Sequence, residues 1–228
     1  MTHSKFRSPL FVLTLALAMP ALAVLGATAR PAVAVAGEGE AEGEAMTVDV
    51  LMEGFATMPG LYADFRQEVH FGMLARPLVD EGTLHFSDGR LARRTLVPAL
   101  SVVVIDADGI EFGDSKGSER IDLDGKPAVR QFVDAFTMIF AGDRGGLERL
   151  YRIEFVPGEG RTWTMNLIPK VSPMDKVIDR VEVSGVDLAI TKMRVLEHGG
   201  DETVTSFSKV DTARRYTAAE KAHLFSVN

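Results

Sequence analysis

From Leu61 onward the apolar residues recur at every second position, and that period commits most of the chain to sheet. Leu61, Ala63, Phe65, Gln67, Val69 and Phe71 share one face, while Tyr62, Asp64, Arg66, Glu68 and His70 share the other. One face is therefore buried and the other wet. Further strand-like runs follow at short intervals over 82–86, 90–97, 100–107, 109–113 and 119–123. Asp88-Gly89, Asp108-Gly109 and Asp124-Gly125 stand between runs, and such dipeptides supply the positive φ angles of tight hairpins. This pattern predicts an antiparallel meander. After residue 150, strands are expected again over 152–156, 162–169, 177–184, 188–197 and 202–210, giving about ten in all.

Two stretches break the period. Val48, Leu51, Met52, Phe55 and Met58 fall at helical spacing behind Thr47, a suitable N-cap, and Pro59-Gly60 ends the run. Residues 127–141 carry Val129, Phe132, Val133, Phe136, Ile139 and Phe140 on one stripe, with three phenylalanines at i, i+4 and i+8 and Gly142 as the stop. Thr217-Ala-Ala-Glu220 is a capping-box pattern and predicts a last helical turn.

The N-terminal segment has a charged start (Lys5, Arg7) and an apolar run from Leu10 to Leu25. Small-residue cleavage motifs end at Ala23, Ala29 and Ala36. This is the pattern of a secretory signal peptide, with cleavage between 23 and 36. Residues 37–46, Gly- and Glu-rich at their start, read as a disordered acidic leader, and 47–228 as one domain. The chain has no cysteine, so an ordinary apolar core has to hold it together. Its formal charge of −7 becomes −9 without Lys5 and Arg7, or −10 if Arg30 is also removed. An acidic protein of this kind is repelled by nucleic acid, which excludes that partner class.

Catalytic motifs are absent. The sequence contains no H-E-x-x-H, P-loop or G-x-S-x-G elbow, and no cysteine nucleophile. His70, His85, His198 and His223 are scattered, so no metal site is expected. Asp106-Ala-Asp108-Gly109-Ile-Glu111 starts like a calcium loop, but its glycine comes too early and a hairpin turn explains it. Arg90, Arg93 and Arg94 form a local basic cluster, which reads either as a solvated strand face or as a docking site for an acidic partner or lipid phosphate. The phenylalanine stripe at Phe132, Phe136 and Phe140 fits ordinary core. It also fits a cover over the concave face of a curved sheet that two helices cannot fill, and underfilled barrel-like sheets hold apolar ligands.

Phe65-Arg66-Gln67, Gly82-Thr-Leu-His-Phe86, Arg90-Leu91 to Pro98 and Val104-Ile-Asp-Ala-Asp-Gly109, taken in order, resemble the landmarks of the LolA-like periplasmic lipoprotein-carrier family. Leu167-Ile-Pro169, Val181-Glu-Val183 and Gly200-Asp-Glu-Thr203 leading to Phe207 are similar to its later strands. The resemblance runs from about Val48 to Val210. It implies an α+β, mainly β fold: an open antiparallel barrel of ten or eleven strands over short helices. It also implies a monomer without cofactor or catalysis that shields acyl chains, receives an acylated lipoprotein or glycolipid from an inner-membrane exporter, and passes it toward an outer-membrane acceptor. The cargo-binding walls would come from Phe65, Val69, Phe71, Leu84, Phe86, Leu91, Val102, Val104, Trp163, Met165 and Leu167. Phe132, Phe136 and Phe140 would form the lid. Standard carriers have an Arg-Pro after the second strand that helps latch the lid, and here that stretch reads Ser87-Asp88-Gly89. Arg90, Arg93 or Arg94 are the substitutes at hand. A lipid-sensing regulatory domain on the same fold is the rival reading, and an acyl-ester hydrolase a third.

Overall fold

The computed structural model describes residues 45–227; the expected signal peptide, and the expected leader up to residue 44, lie outside them. Helix α1 spans Val48–Thr57, and the Thr47 hydroxyl caps it by accepting from the Val50 amide at 3.2 Å. Met46, just ahead of it, is already buried. Six strands follow: β1 Leu61–His70, β2 Leu78–Ser87, β3 Arg90–Val97, β4 Ser101–Asp106, β5 Gly109–Asp114 and β6 Gly117–Asp122. Helices α2 (Pro127–Ala141) and α3 (Arg144–Leu150) lead to β7 Tyr151–Pro157, β8 Thr162–Pro169, β9 Ile178–Val186, β10 Ala189–Glu197 and β11 Glu202–Asp211. A short helix α4, Ala218–Leu224, carries the expected capping box between Thr217 and Glu220.

All eleven strands form one antiparallel sheet in the order β6-β5-β4-β3-β2-β1-β11-β10-β9-β8-β7. The chain starts at the centre with β1, walks out to one edge at β6, crosses over through α2 and α3, and walks back from the opposite edge until β11 pairs with β1. Edge strands β6 and β7 are not paired to each other, so the barrel is open. This is the fold that the alternating pattern and the family resemblance predict.

The hairpins are not all built as their dipeptides suggest. Asp88 (φ 52°) and Gly89 (φ 72°) both take left-handed backbone, the primed turn that matches strand twist. The β4–β5 turn instead relies on the Asp106 carboxylate, which accepts from the amides of Asp108 and Gly109 at 3.0 and 3.1 Å. That Asx turn removes the need for positive φ at Gly109. Asp124-Gly125 is not a hairpin at all but the entry to α2, and β5 and β6 are joined through Asp114 to Gly117.

Both faces of the sheet are partly covered. On the concave side α1 and α2 pack Leu51, Met52, Phe55, Ala135, Phe136 and Phe140 against Phe86, Trp163, Met165, Leu167 and Val183. A neighbouring cluster sets Val129 and Val133 of α2 on Val103, Ile105 and Ile110. On the convex side the C-terminal segment lays Tyr216 and Phe225 over Ala92 and Val104. There the Tyr216 hydroxyl donates to the Leu61 carbonyl at 2.7 Å, so its oxygen accepts from His85 Nδ1 at 3.1 Å, and His85 Nε2 accepts from Thr83 Oγ1 at 3.0 Å. Both bonds suit a neutral imidazole protonated at Nδ1. Burial, helped by the nearby charges of Arg94 and Arg214, lowers its pKa from 6.5 to about 4.

A histidine held neutral in the fold and free to protonate when unfolded contributes stability that is complete above pH 6.5 and is lost as the pH falls toward 4. Allowing for partial screening, unfolding free energies from urea titrations at pH 7 and pH 4.5 should differ by about 2 kcal/mol from this group. His85→Gln should flatten that part of the profile.

Candidate functional site

The concave face is built from the inward series of each strand, and β1 sets the pattern. Leu61, Ala63, Phe65, Gln67 and Val69 all point inward and are buried. The β1–β2 pairing places Gly82 beside Phe65 and Leu84 beside Ala63, which carries Leu84 and Phe86 to the same side. Leu91 of β3 packs against both concave clusters. From the other half come Trp163, Met165 and Leu167 of β8, all buried, with Ile153, Phe155, Val181 and Met193 at their borders. Trp163 settles its ring nitrogen by donating to the Asp187 carbonyl at 2.8 Å, so a large ring can lie in an apolar wall without an orphaned donor.

The helices cover this face with aromatic rings. Phe140 stacks on Phe86 with centroids 4.1 Å apart, Phe136 meets Phe86 edge-on at 6.1 Å, and Phe136 and Phe140 touch each other at 4.9 Å. Phe55 of α1 joins at 5.8 Å from Phe140. Phe132 packs one turn earlier, in the neighbouring cluster around Val103. Gly142, in the left-handed conformation at φ 68°, ends α2, and its amide caps the Ile139 carbonyl. What joins helix to sheet here is mostly ring against ring, a contact without strong directional bonds that can be exchanged for another apolar surface at modest cost.

Two expected wall residues belong elsewhere. Val102 and Val104 face outward, against Tyr216, Leu224, Phe225 and Val227, whereas Val103 and Ile105 face the interior. Strand β4 reads Val102-Val-Val-Ile105, apolar on both sides because the C-terminal segment covers its back, so alternation carries no sign of which side is in. Phe71 lies just past the end of β1 and is half-buried. Phe65, Val69, Leu84, Phe86, Leu91, Trp163, Met165 and Leu167 share the concave side with the phenylalanine stripe.

The three arginines do not form one cluster. Arg90 and Arg94 point outward and hold the C-terminal segment: Arg90 Nη2 donates to the Phe225 carbonyl at 2.8 Å, and Arg94 Nη1 donates to that of Leu224 at 3.2 Å. Asp88, in the position where the standard carriers have their latch, pairs with Lys221 of α4 at 2.6 Å. Arg93 turns the other way and is buried, its guanidinium 4.3 Å from the centroid of the Phe65 ring. Its Nη1 donates to Thr95 at 2.8 Å, and its Nη2 donates to Gln67 Oε1 at 2.7 Å and to Asp80 Oδ2 at 3.1 Å. Burial pulls the guanidinium below its usual range, and Asp80 opposes that pull. Gln67, Asp80, Arg93 and Thr95, with Thr203 and Thr205 on β11, make a buried polar seam that the sequence does not mark as a unit, although Arg93 is among its candidate docking or latch residues. Its one signal in the sequence is Gln67, a polar residue in the inward series of β1.

Other features are simpler. A groove of about 430 Å³ on the convex side is lined by Arg152, Glu154, Asn166, Asp179, Arg180 and Glu182, whose charges largely pair among themselves. Among the described residues, six of the nine large apolar side chains left exposed, namely Met73 (91%), Leu74, Leu96, Val97, Leu100 (70%) and Val171, lie on loops or strand ends at one end of the barrel. Among the described residues no His, Asp and Glu side chains gather as a metal site, and no helix is long and apolar enough to cross a membrane.

Arg93→Leu should cost about 3–5 kcal/mol of unfolding free energy by urea titration, because it leaves Asp80 charged and buried. Arg93→Leu with Asp80→Leu should cost markedly less than the single change, and a larger loss in the double variant would contradict this account of the pair.

No curated protein sequence matches the chain. Among solved structures it is similar to a DUF1329 family protein from Desulfovibrio piger, with 12% identity, 78% of this chain and 94% of that one covered, and a TM-score of 0.45. It is also similar to a LolA superfamily protein from Nitrosomonas europaea, with 8% identity, 77% and 97% covered, and a TM-score of 0.40. MucB in complex with MucA(peri) matches at 16% identity, with 75% and 56% covered and a TM-score of 0.39. The family model described as outer membrane lipoprotein carrier protein LolA matches residues 56–225, from the end of α1 through α4. An open eleven-stranded sheet whose concave apolar face is covered by helices, together with that match across most of its length, makes this chain a member of the LolA outer membrane lipoprotein carrier family.

Proposed function

We propose that the protein is a periplasmic carrier, exported by the segment 1–36, that takes the acyl chains of a lipoprotein or another acylated lipid onto its concave face. It receives them from an inner-membrane exporter and delivers them toward the outer membrane. The observation that carries this reading is the ring cluster of Phe55, Phe86, Phe136 and Phe140, where the helices meet the sheet by interchangeable apolar contact. When α2 lifts, Phe86, Leu84, Leu91, Trp163, Met165 and Leu167 offer a surface on which an acyl chain replaces the departing rings.

Hiding one C16 chain from water is worth on the order of 10 kcal/mol at about 0.8 kcal/mol per methylene, so an unescorted acylated molecule would not leave its membrane at a useful rate. The phenylalanine cover keeps the same face out of water when no cargo is bound. Loading therefore exchanges one apolar contact for another, and a carrier that must also release its cargo gains from that near balance. The exposed Met73, Leu74, Leu96, Val97, Leu100 and Val171 provide an apolar rim for contact with a membrane or a transfer partner.

Native mass spectrometry with lipid extraction, on protein purified from the periplasm of its own host, should find a bound acylated molecule. Phe136→Asp should keep the β-rich circular dichroism of the native protein and lose at least tenfold in affinity for a fluorescent fatty-acyl probe. A ligand-free mass combined with no uptake of the probe would overturn the carrier reading in favour of a regulatory domain working through a protein partner.

A further inference from the structure

Gln67 and Thr205 are cross-strand partners on β1 and β11, and both belong to the concave face. Each is almost fully buried, at 1% and 5% exposure. Gln67 Oε1 accepts from Arg93, which can only donate, and this fixes the orientation of the amide: Nε2 is the end left over. Gln67 Nε2 and Thr205 Oγ1 have no hydrogen-bond partner in the closed structure. Their side chains leave facing positions of adjacent strands, where Cβ atoms lie about 5 Å apart, close enough for both to reach a single acceptor. Phe65 and Val69 flank Gln67 in the same inward series, and Met193 is the β10 partner of Thr205.

We infer that Gln67 and Thr205 form the anchor for the carbonyl oxygen at the head of a bound acyl chain, in an ester or amide rather than a free carboxylate. This rests on the carrier reading and names the chemical class that the same face selects. Two orphaned donors shut away from water weaken the ligand-free fold, and a ligand that brings one acceptor oxygen satisfies both. The acceptor has to be neutral, because the nearest cation, Arg93, is already matched by Asp80 at 3.1 Å, so a carboxylate would enter without a free countercharge. Arg93, Asp80 and Thr95 are positioning residues. They hold the Gln67 amide so that its N–H points away from the arginine.

The test compares 1-palmitoylglycerol with 1-hexadecylglycerol, which differ at the chain head by an ester carbonyl against an ether methylene, in competition with a fluorescent acyl probe on the full exported protein. The native protein should bind the ester about tenfold more tightly, as expected for one or two good hydrogen bonds. In Thr205→Val and in Gln67→Leu that ratio should fall below about two, while Thr205→Val, which takes no partner from another group, melts at a higher temperature than the native protein when ligand-free. Equal affinity of the native protein for ester and ether would overturn the anchor, assign the pair to an ordered water, and leave the carrier reading standing. An ester preference that survives in both variants would also overturn it. Failure of the native protein to bind either lipid would overturn the anchor and the carrier reading together.

Discussion

The fold depends on one crossing. A sheet that walks outward from β1 to β6 has exhausted its hairpins at one edge, and the chain reaches the opposite edge by passing over its own concave face. Helix α2 makes that crossing, and its apolar stripe makes the crossing stable. Val129 and Val133 bind it to β4 and β5, while Phe136 and Phe140 bind it to Phe86 and to Phe55 of α1. Without those rings an eleven-stranded sheet would present a continuous apolar surface to water. The connection between the two halves and the cover of the concave face are thus the same fifteen residues.

The two faces of the sheet are stabilised differently, and this divides the labour. The convex side is locked by directional bonds: the Tyr216–His85–Thr83 chain, the Arg90 and Arg94 bonds to the C-terminal carbonyls, and the Asp88–Lys221 pair. On the concave side, helix and sheet meet mainly through rings and aliphatic chains. On the proposed carrier reading, rigid fastening behind and exchangeable packing in front are what would let the helices change position while the strand register holds.

Most of the architecture is legible in the sequence because most strands have one wet face. In β1 the alternation of Leu61 to Val69 with Tyr62 to His70 gives both the element and its inward side. Alternation carries no information where that contrast vanishes. Strand β4 is apolar on both sides, so Val102 and Val104 cannot be told from Val103 and Ile105 until the C-terminal segment is seen lying on its back. The arginines of β3 mislead for a related reason. Read as a string, Arg90, Arg93 and Arg94 are a basic patch, but a strand sends Arg93 to one face and Arg90 and Arg94 to the other, into quite different company. The polar seam shows in the sequence only through Gln67, for a third reason: its members come from β1, β2, β3 and β11, and only the pairing register brings them together.

That register also governs how the molecule can come into being. Strand β1 has β2 on one side and β11 on the other, so Phe65 sits opposite both Gly82, a near neighbour in the chain, and Phe207, almost at its far end. The first half can zip up hairpin by hairpin as soon as its own residues are available. Its innermost strand nevertheless keeps an unpaired edge until nearly the whole polypeptide has arrived, because no earlier segment pairs there. Such long-range closure is slow, and the waiting edge is open to any extended peptide nearby. The last strand delivered is therefore the keystone, and a truncation within it would leave a sticky half-sheet rather than a smaller barrel.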